Sequence, residues 1–238
     1  SKDFSWNLGY NITYNDSKII KLTATYNPEY QGIDAGTNQK HQIDRQPNTF
    51  YLFQQVYDKD GKAIQNAFVD RNGDGVITEA DRYLTGKSPM AKVFMGLSSE
   101  LTFRNWDLGF NMRANLGNYV FNSLAADNSS ANSYGGNGFL VNYYKSIKET
   151  GFTLVNSTEQ KASDHFLENA SFLKMDNITL GYSFKKLLTD RISGRISASV
   201  QNVFTVTKYC GLDPEVSAVD GSIWPRPRIY TIGINLNF

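Results

Sequence analysis

Apolar and polar residues take turns along six stretches of this chain. From Ser5 to Tyr14, the apolar set Trp6, Leu8, Tyr10, Ile12 and Tyr14 alternates with Ser5, Asn7, Gly9, Asn11 and Thr13. From Lys92 to Arg104, Val93, Met95, Leu97, Leu101 and Phe103 oppose Lys92, Gly96, Ser98, Glu100, Thr102 and Arg104, with Phe94 out of phase. Trp106 to Leu116 repeats the pattern, with Asp107, Gly109, Asn111, Arg113 and Asn115 on the polar side. Asn177 to Phe184 follows, then Arg195 to Phe204, then Tyr230 to Phe238, read as YTIGINLNF. Period two puts one residue set on each face of a strand, so these segments predict six two-faced strands. Ahead of the fourth lies a less regular lead-in, SFLKMD, and the apolar parity changes between Met175 and Ile178. A bulge, or the rim of the structure, would produce that change.

Two all-β architectures share such a pattern. In an antiparallel sandwich one face of each sheet is wet. In a transmembrane barrel one face meets lipid and the other an aqueous lumen. The alternation does not separate them, but the connections do. Segments two and three are joined around Asn105, and four and five by KKLLTDRISG, both short. The other three connections run to about 75, 60 and 20 residues. Unstructured loops of that size are uncommon in compact domains, whereas barrels have short turns at one rim and long loops at the other. Six strands fall short of the roughly eight of the smallest single-chain barrels, and an unpaired edge is intolerable in lipid. The chain is therefore expected to pair with strands of a missing N-terminal portion or of another chain.

Composition agrees. Of 238 residues, 40% are hydrophobic, 20% charged and 13% aromatic, a β-favouring mixture that is not disordered. The net charge of +1 gives no steering toward nucleic acid or anionic lipid. One cysteine, Cys210, excludes an internal disulfide and reads as a small buried or loop residue. No apolar run is long enough for a membrane helix, but a membrane strand needs only about ten residues. The opening SKDFSWNLGY lacks the basic and apolar regions of a signal peptide, as in a mature protein or a piece of one.

The sharpest local motif is DRNGDGVITEAD at 70–81. It fits the EF-hand calcium loop, in which oxygen donors recur at alternate positions before a sharp glycine turn. Asp70, Asn72 and Asp74 supply side-chain oxygens, Gly75 occupies the turn, Val76 would give its carbonyl and Thr78 takes the ninth place. Asp81 stands in the twelfth, where Glu is usual, so one-oxygen binding or help from Glu79 is the expectation. The flanks, strand-like AIQNAFV and a short helix or turn in EADRYLTG, are not a pair of helices. The expected role is a structural calcium clip; the alternative is an Asp/Asn/Gly turn without metal.

Other chemistry is sparse. His41 and His165 are not in metal-ligand spacing and read as surface loop residues. GGNG at 135–138 lacks the Lys and Ser/Thr of a phosphate loop and reads as a flexible tip. No nucleophile–base constellation stands out, so the chain is not expected to be an enzyme. Asn118 to Tyr144 holds Tyr119, Phe121, Tyr134, Phe139, Tyr143 and Tyr144, rings suited either to sugar faces or to packing the loop itself. In WPRPR at 224–228 the prolines stiffen the approach to the last strand. Arg226 and Arg228 would then reach the lumen or pair with loop carboxylates.

DRNGDGVITEADR, KVFMGLSSELTFRNWDLGFNMRANLGNYVFN, FLENASFLKMDNITLGYSF, ISASVQNVFTVTKYCGLDPEV and WPRPRIYTIGINLNF together resemble the C-terminal third or so of SusC/RagA-type TonB-dependent transporters of Bacteroidota outer membranes. The resemblance covers essentially the whole of 1–238. It implies an all-β transmembrane antiparallel barrel of about 22 strands, of which this chain supplies about the last six. It implies import of oligosaccharides, or of peptides in some members, beneath a SusD-like lipoprotein lid. TonB–ExbB–ExbD energy would act through a plug and TonB box in the missing N-terminal part. It also implies a barrel-assembly signal at Thr231, Gly233, Leu236 and Phe238, and a periplasmic C-terminus. The loops at about 15–91, 117–176 and 206–226, with the calcium loop, would then face outward. Membrane lipid is an expected partner and nucleic acid is not. The rival is a secreted, calcium-stabilised, carbohydrate-binding β-sandwich, whose apolar faces would pack together.

Overall fold

The computed structural model describes residues 3–23, 30, 32–131, 144–187, 192–221 and 224–237. Along the chain these form β1 (Phe4–Tyr14), β2 (Ile33–Asp34), β3 (Gln39–His41), β4 (Thr49–Leu52), β5 (Gln55–Tyr57) and β6 (Ala63–Phe68). Then come β7 (Tyr83–Leu84), β8 (Val93–Phe103), β9 (Trp106–Leu116) and β10 (Tyr119–Phe121). Three short helices follow, α1 (Ser123–Asp127), α2 (Lys145–Thr150) and α3 (Thr158–Lys161). The chain closes with β11 (Leu167–Asn169), β12 (Phe172–Leu187), β13 (Ile192–Thr207) and β14 (Ile229–Asn237).

The six alternating segments become one antiparallel sheet in the order β1-β8-β9-β12-β13-β14. Its register carries the alternation across every strand. Trp6, Leu101, Leu108, Leu180, Ala198 and Ile232 pair in succession along one transverse row. The next row is Asn7, Glu100, Gly109, Thr179, Ser199 and Thr231. Apolar and polar rows thus form two continuous faces. The apolar face stays open, with Trp6 57%, Ile12 57% and Ile232 79% exposed, so among the described residues no second sheet covers it and the sandwich reading fails. It is a segment of antiparallel barrel wall. Aromatics crowd the rim with the short turns: Phe4, Trp6, Phe103, Trp106 and Tyr182, the last two with ring centroids 4.7 Å apart. Such girdles mark the edge of an apolar band in membrane barrels. Trp6 donates its indole N–H to Ser99 Oγ at 3.0 Å, so the ring lies on an apolar face without an unpaired donor.

The parity change falls where expected. Met175 pairs with Met112 and Asn177 with the adjacent Asn111, leaving Asp176 as an extra residue on β12. On β13 two residues, Asn202 and Val203, lie between the partners of Asn177 and Met175, and Asn202 is left-handed at φ 54°. The lead-in SFLKMD is therefore mostly strand. β12 starts at 172, so the second long connection ends near 171, ahead of the 176 expected from periodicity. Extra residues had broken the period without breaking the ladder.

The described residues of the three long connections are not open loops. They fold into a crown at the other rim, with small sheets β2-β3-β4-β7, β5-β6 and β10-β11. Phe50, Leu52, Phe121, Ala125, Phe152, Phe166 and Leu167 make its core, joined by Ala218 of the last connection. Amide side chains hold the pieces together. Gln65 accepts from the backbone of Thr153 and Leu154 and donates back to the Leu154 carbonyl, an imitation of a strand pair. Gln160, fully buried, donates to Gln55 and accepts from the Asn66 N–H.

On the polar face Asp107 of β9 and Arg195 of β13 form an ion pair that passes over β12, Arg195 Nε reaching Asp107 Oδ1 at 3.0 Å. Gly181 leaves the room for it, since a Cβ there would meet Asp107 Oδ1 at 2.5 Å. Gly181→Ala should therefore displace the pair and lower the unfolding free energy of the assembled barrel by about 1 kcal/mol. Gly221→Ala, with nothing within 4 Å, should be neutral. Denaturant titration of the two variants checks this.

Candidate functional site

Two regions carry candidate function, the polar face of the wall and the calcium-type loop of the crown. The polar face forms a trough of about 970 Å³ lined by side chains that include Asn7, Glu100, Asp107, Asn111, Thr179 and Arg195. Hydroxyls and amides dominate it, and Arg195 is neutralised by Asp107. Near the crown, Arg113 donates from Nε to Asp176 Oδ2 at 2.7 Å and from Nη1 to Glu215 Oε1. Lys174 reaches Glu215 Oε2 at 2.6 Å, and Arg226 reaches Asp213 at 2.7 Å and Glu215 at 3.3 Å. Burial pushes the Glu215 carboxyl up, but Arg113 and Lys174 outweigh that and hold it below its ordinary range. Arg226 thus pairs with loop carboxylates, one of its two expected roles, while Arg228 donates to the Asn202 carbonyl at 3.3 Å.

The loop at 70–81 closes through its own hydrogen bonds. Asp70 accepts from the Gly73 and Gly75 N–H groups at 2.7 and 2.8 Å. Asn72 Oδ1 accepts from Asp74 N, and Asp74 Oδ1 from Val76 N. Gly75 lies at φ 82°, a conformation that glycine reaches without steric cost. Three of the motif's oxygen donors are thus curled around one short turn. Asp81 is fully buried and accepts from Thr78, Arg71 and Asn72 N–H groups. The Thr78 N–H, then those of Arg71 and Asn72, hold its carboxyl below the ordinary range against the effect of burial. Thr78 caps the 3-10 turn at 79–81, receiving the Ala80 N–H, and Val76 is exposed at the loop's outer side. The Glu79 carboxylate is engaged by Arg82 at 2.9 Å. Among the described residues no three His, Cys, Asp or Glu side chains are grouped as a metal cage. The oxygen-only donor set, with Asn72 and Thr78 beside three carboxylates, is that of a hard cation such as calcium.

The residue after the motif holds the loop in place. Arg82 donates to Thr37 O, Asn38 Oδ1 and Tyr51 O at 2.8–2.9 Å and lies over the Tyr51 ring at 5.0 Å. Arg71, at the other end, donates to Gln54 and covers Tyr83 at 4.8 Å. Neither arginine follows from the calcium motif, because their partners lie in β4 and its neighbours.

Other sequence-selected residues have structural roles. His41 accepts from Asn48 N at 3.1 Å, and His165 meets Tyr57 Oη at 3.1 Å. Both are half-buried rather than surface loop residues, His41 at the end of β3 and His165 in a 3-10 turn at 164–166. Burial pushes the His165 imidazole below its ordinary 6.5, while Asp164 and Glu168 oppose this weakly. Phe121 is 1% exposed and Tyr119 packs on the crown core, so the loop's own packing accounts for them. Tyr134, Phe139, Tyr143, GGNG at 135–138 and Phe238 lie outside the described residues. Cys210 is an exposed loop residue and a free thiol.

No family model matches the chain. It is 41% identical, over 252 aligned residues, to the TonB-dependent receptor SusC of Bacteroides thetaiotaomicron, an alignment covering all of this chain and 25% of that protein. It is 23% identical to the TonB-dependent receptor P3 of Formosa agariphila, over all of this chain and 27% of the relative. The solved RagAB peptide transporter superposes with a TM-score of 0.75 at 24% identity, covering all of this chain and 28% of that one. RagAB in its 'closed-closed' state gives 0.75 at 25% identity. A two-faced antiparallel wall with a folded crown is thus the architecture of a TonB-dependent receptor. Within that class the chain belongs to the SusC/RagA type. It spans about a quarter of the length of these relatives.

Two predictions concern the crown. Arg82→Met leaves three carbonyl oxygens without their donor and should cost about 3 kcal/mol, read as a lowered thermal transition of the crown. Because His165 binds a proton less readily folded than unfolded, crown stability should be constant above about pH 6.5 and fall as pH drops below it. His165→Phe should flatten that slope in pH-dependent denaturation.

Proposed function

We propose that the chain is the C-terminal part of the barrel of a SusC-like importer in the outer membrane, taking up oligosaccharides with a SusD-like surface lipoprotein. The observation that carries this reading is the continuous pair of faces, an open apolar surface fit for lipid and a trough of amides and hydroxyls fit for a neutral, hydroxyl-rich solute. The remaining N-terminal barrel would close the sheet at the free edges of β1 and β14, because bare ladder groups are not tolerated in hydrocarbon. A plug in that part, displaced through TonB, would open the passage after the lipoprotein lid delivers substrate. The chain itself supplies wall and loops, not chemical catalysis. The crown would lie outside and the C-terminus in the periplasm. The likeness to the RagAB peptide transporter favours a second reading, import of peptides. Growth of a deletion strain on defined oligosaccharides and on peptides as limiting nutrients separates the two. Unimpaired growth on both would overturn the importer reading.

Calcium, in this reading, is held by Asp70, Asn72, Asp74, Thr78, Asp81 and the Val76 carbonyl. It would supply charge neutralisation and a rigid clip, not catalysis. The self-bonded turn around Asp70 and the chemistry of its donors support this. Asp70→Ala with Asp74→Ala should abolish calcium-dependent protection of residues 60–90 from proteolysis; equal cleavage of the unmodified receptor with and without calcium would end the idea. Thr231, Gly233, Leu236 and Phe238 form the barrel-assembly signal. Deleting Phe238 should cut outer-membrane insertion, and unchanged insertion would refute it.

A further inference from the structure

The last long connection does more than join β13 to β14. Its tip, Leu212 to Val216, bends onto the polar face of the wall, and the contact is a compact lattice of charge. Glu215 is gripped by Arg113 of β9 and Lys174 of β12, the latter at 2.6 Å. Arg226 braces the same carboxylate at 3.3 Å and Asp213 at 2.7 Å. Arg113 also holds Asp176, the bulge residue, at 2.7 Å. The lattice is nearly dry at its centre, where the side chains of Lys174 and Glu215 are 5% and 10% exposed. Three cations face three carboxylates, so it is neutral when closed. A second anchor lies on the same irregular patch of wall: Asn202 donates to the carbonyls of Arg226 and Pro227 at 3.0 and 3.2 Å.

We propose that this tip is a strap latched across the inner wall, and that its release widens the passage and bares the Arg113–Lys174 pair. The inference rests on the polar face being a lumen, as in the importer reading. The far ends of the connection are held separately. Asp220 takes the Tyr209 hydroxyl and the Leu212 N–H, and Phe121 exchanges backbone bonds with Ala218 and Asp220. The tip is therefore a short span between fixed points, pinned by side chains, the arrangement of a latch. Asn118 adds one weaker contact, to the Pro214 carbonyl at 3.3 Å. Losing the Glu215 carboxylate leaves the Lys174 ammonium, 5% exposed, without its partner, which weights the open form. Opening restores water to all of them.

The whole receptor with its lipoprotein, in outer-membrane vesicles, is the object to test. Limited Asp-N cleavage before Asp213 should be about tenfold faster in Glu215→Gln, since cleavage follows the open population. Asp-N cleavage before Asp60 in the crown should not change. Glu215→Asp, which keeps a carboxylate for the three cations, should stay largely protected. In the unmodified receptor, labelling of Lys174 by a membrane-impermeant amine reagent should be at least about tenfold slower than labelling of the exposed Lys145. Equal cleavage in Glu215→Gln, or equal labelling of the two lysines, overturns the latch. Loss of transport with both readouts as expected leaves the latch standing. Intact transport of neither oligosaccharide nor peptide would instead indict the importer reading alone.

Discussion

In hydrocarbon there is no water to accept a stray N–H or carbonyl, and the wall is arranged around that one constraint. Every interior strand gives its ladder to neighbours on both sides, so the alternation of side chains can be spent wholly on the difference between lipid and lumen. The apolar row from Trp6 to Ile232 and the polar row from Asn7 to Thr231 are the same six strands read one residue apart. Even the polar atom on the wrong side, the Trp6 indole nitrogen, finds Ser99.

Above the rim the solvent changes and so does the design. The crown buries Phe50, Leu52 and Phe121 as any soluble fold would. It has little regular structure with which to pair its backbone, so Gln55, Gln65 and Gln160 take over that task. Their amides both donate and accept, which lets a side chain stand in for a missing strand. Arg82 does the same for three carbonyl or amide oxygens and stacks on Tyr51 as well.

This division explains what could be read in the sequence. All six wall strands, the tight turn around Asn105 and the irregularity between Met175 and Ile178 were legible, since each leaves a local period or breaks one. The Asp/Asn/Gly turn at 70–75 was legible as a spacing, with a strand before it and a short turn after it. The folding of the long connections was not, because Phe50 and Phe166 join one core across more than a hundred residues and no period connects them. Nor was the grip of Arg113 and Lys174 on Glu215, or the burial of His165 against Tyr57. Polar pairs of that kind look like ordinary surface residues until the chain is folded.

The bulge at Asp176 resets the phase of β12. A membrane strand reads like a message in two-letter phase, and a single inserted residue would turn everything beyond it inside out. Here the extra residue on β12 is met by one more on β13, and its carboxylate is absorbed by Arg113 on the watery side. Such a spot acts as a phase shifter. It lets β12 gain a residue and still keep its apolar and polar sides on the faces that β9 and β13 set.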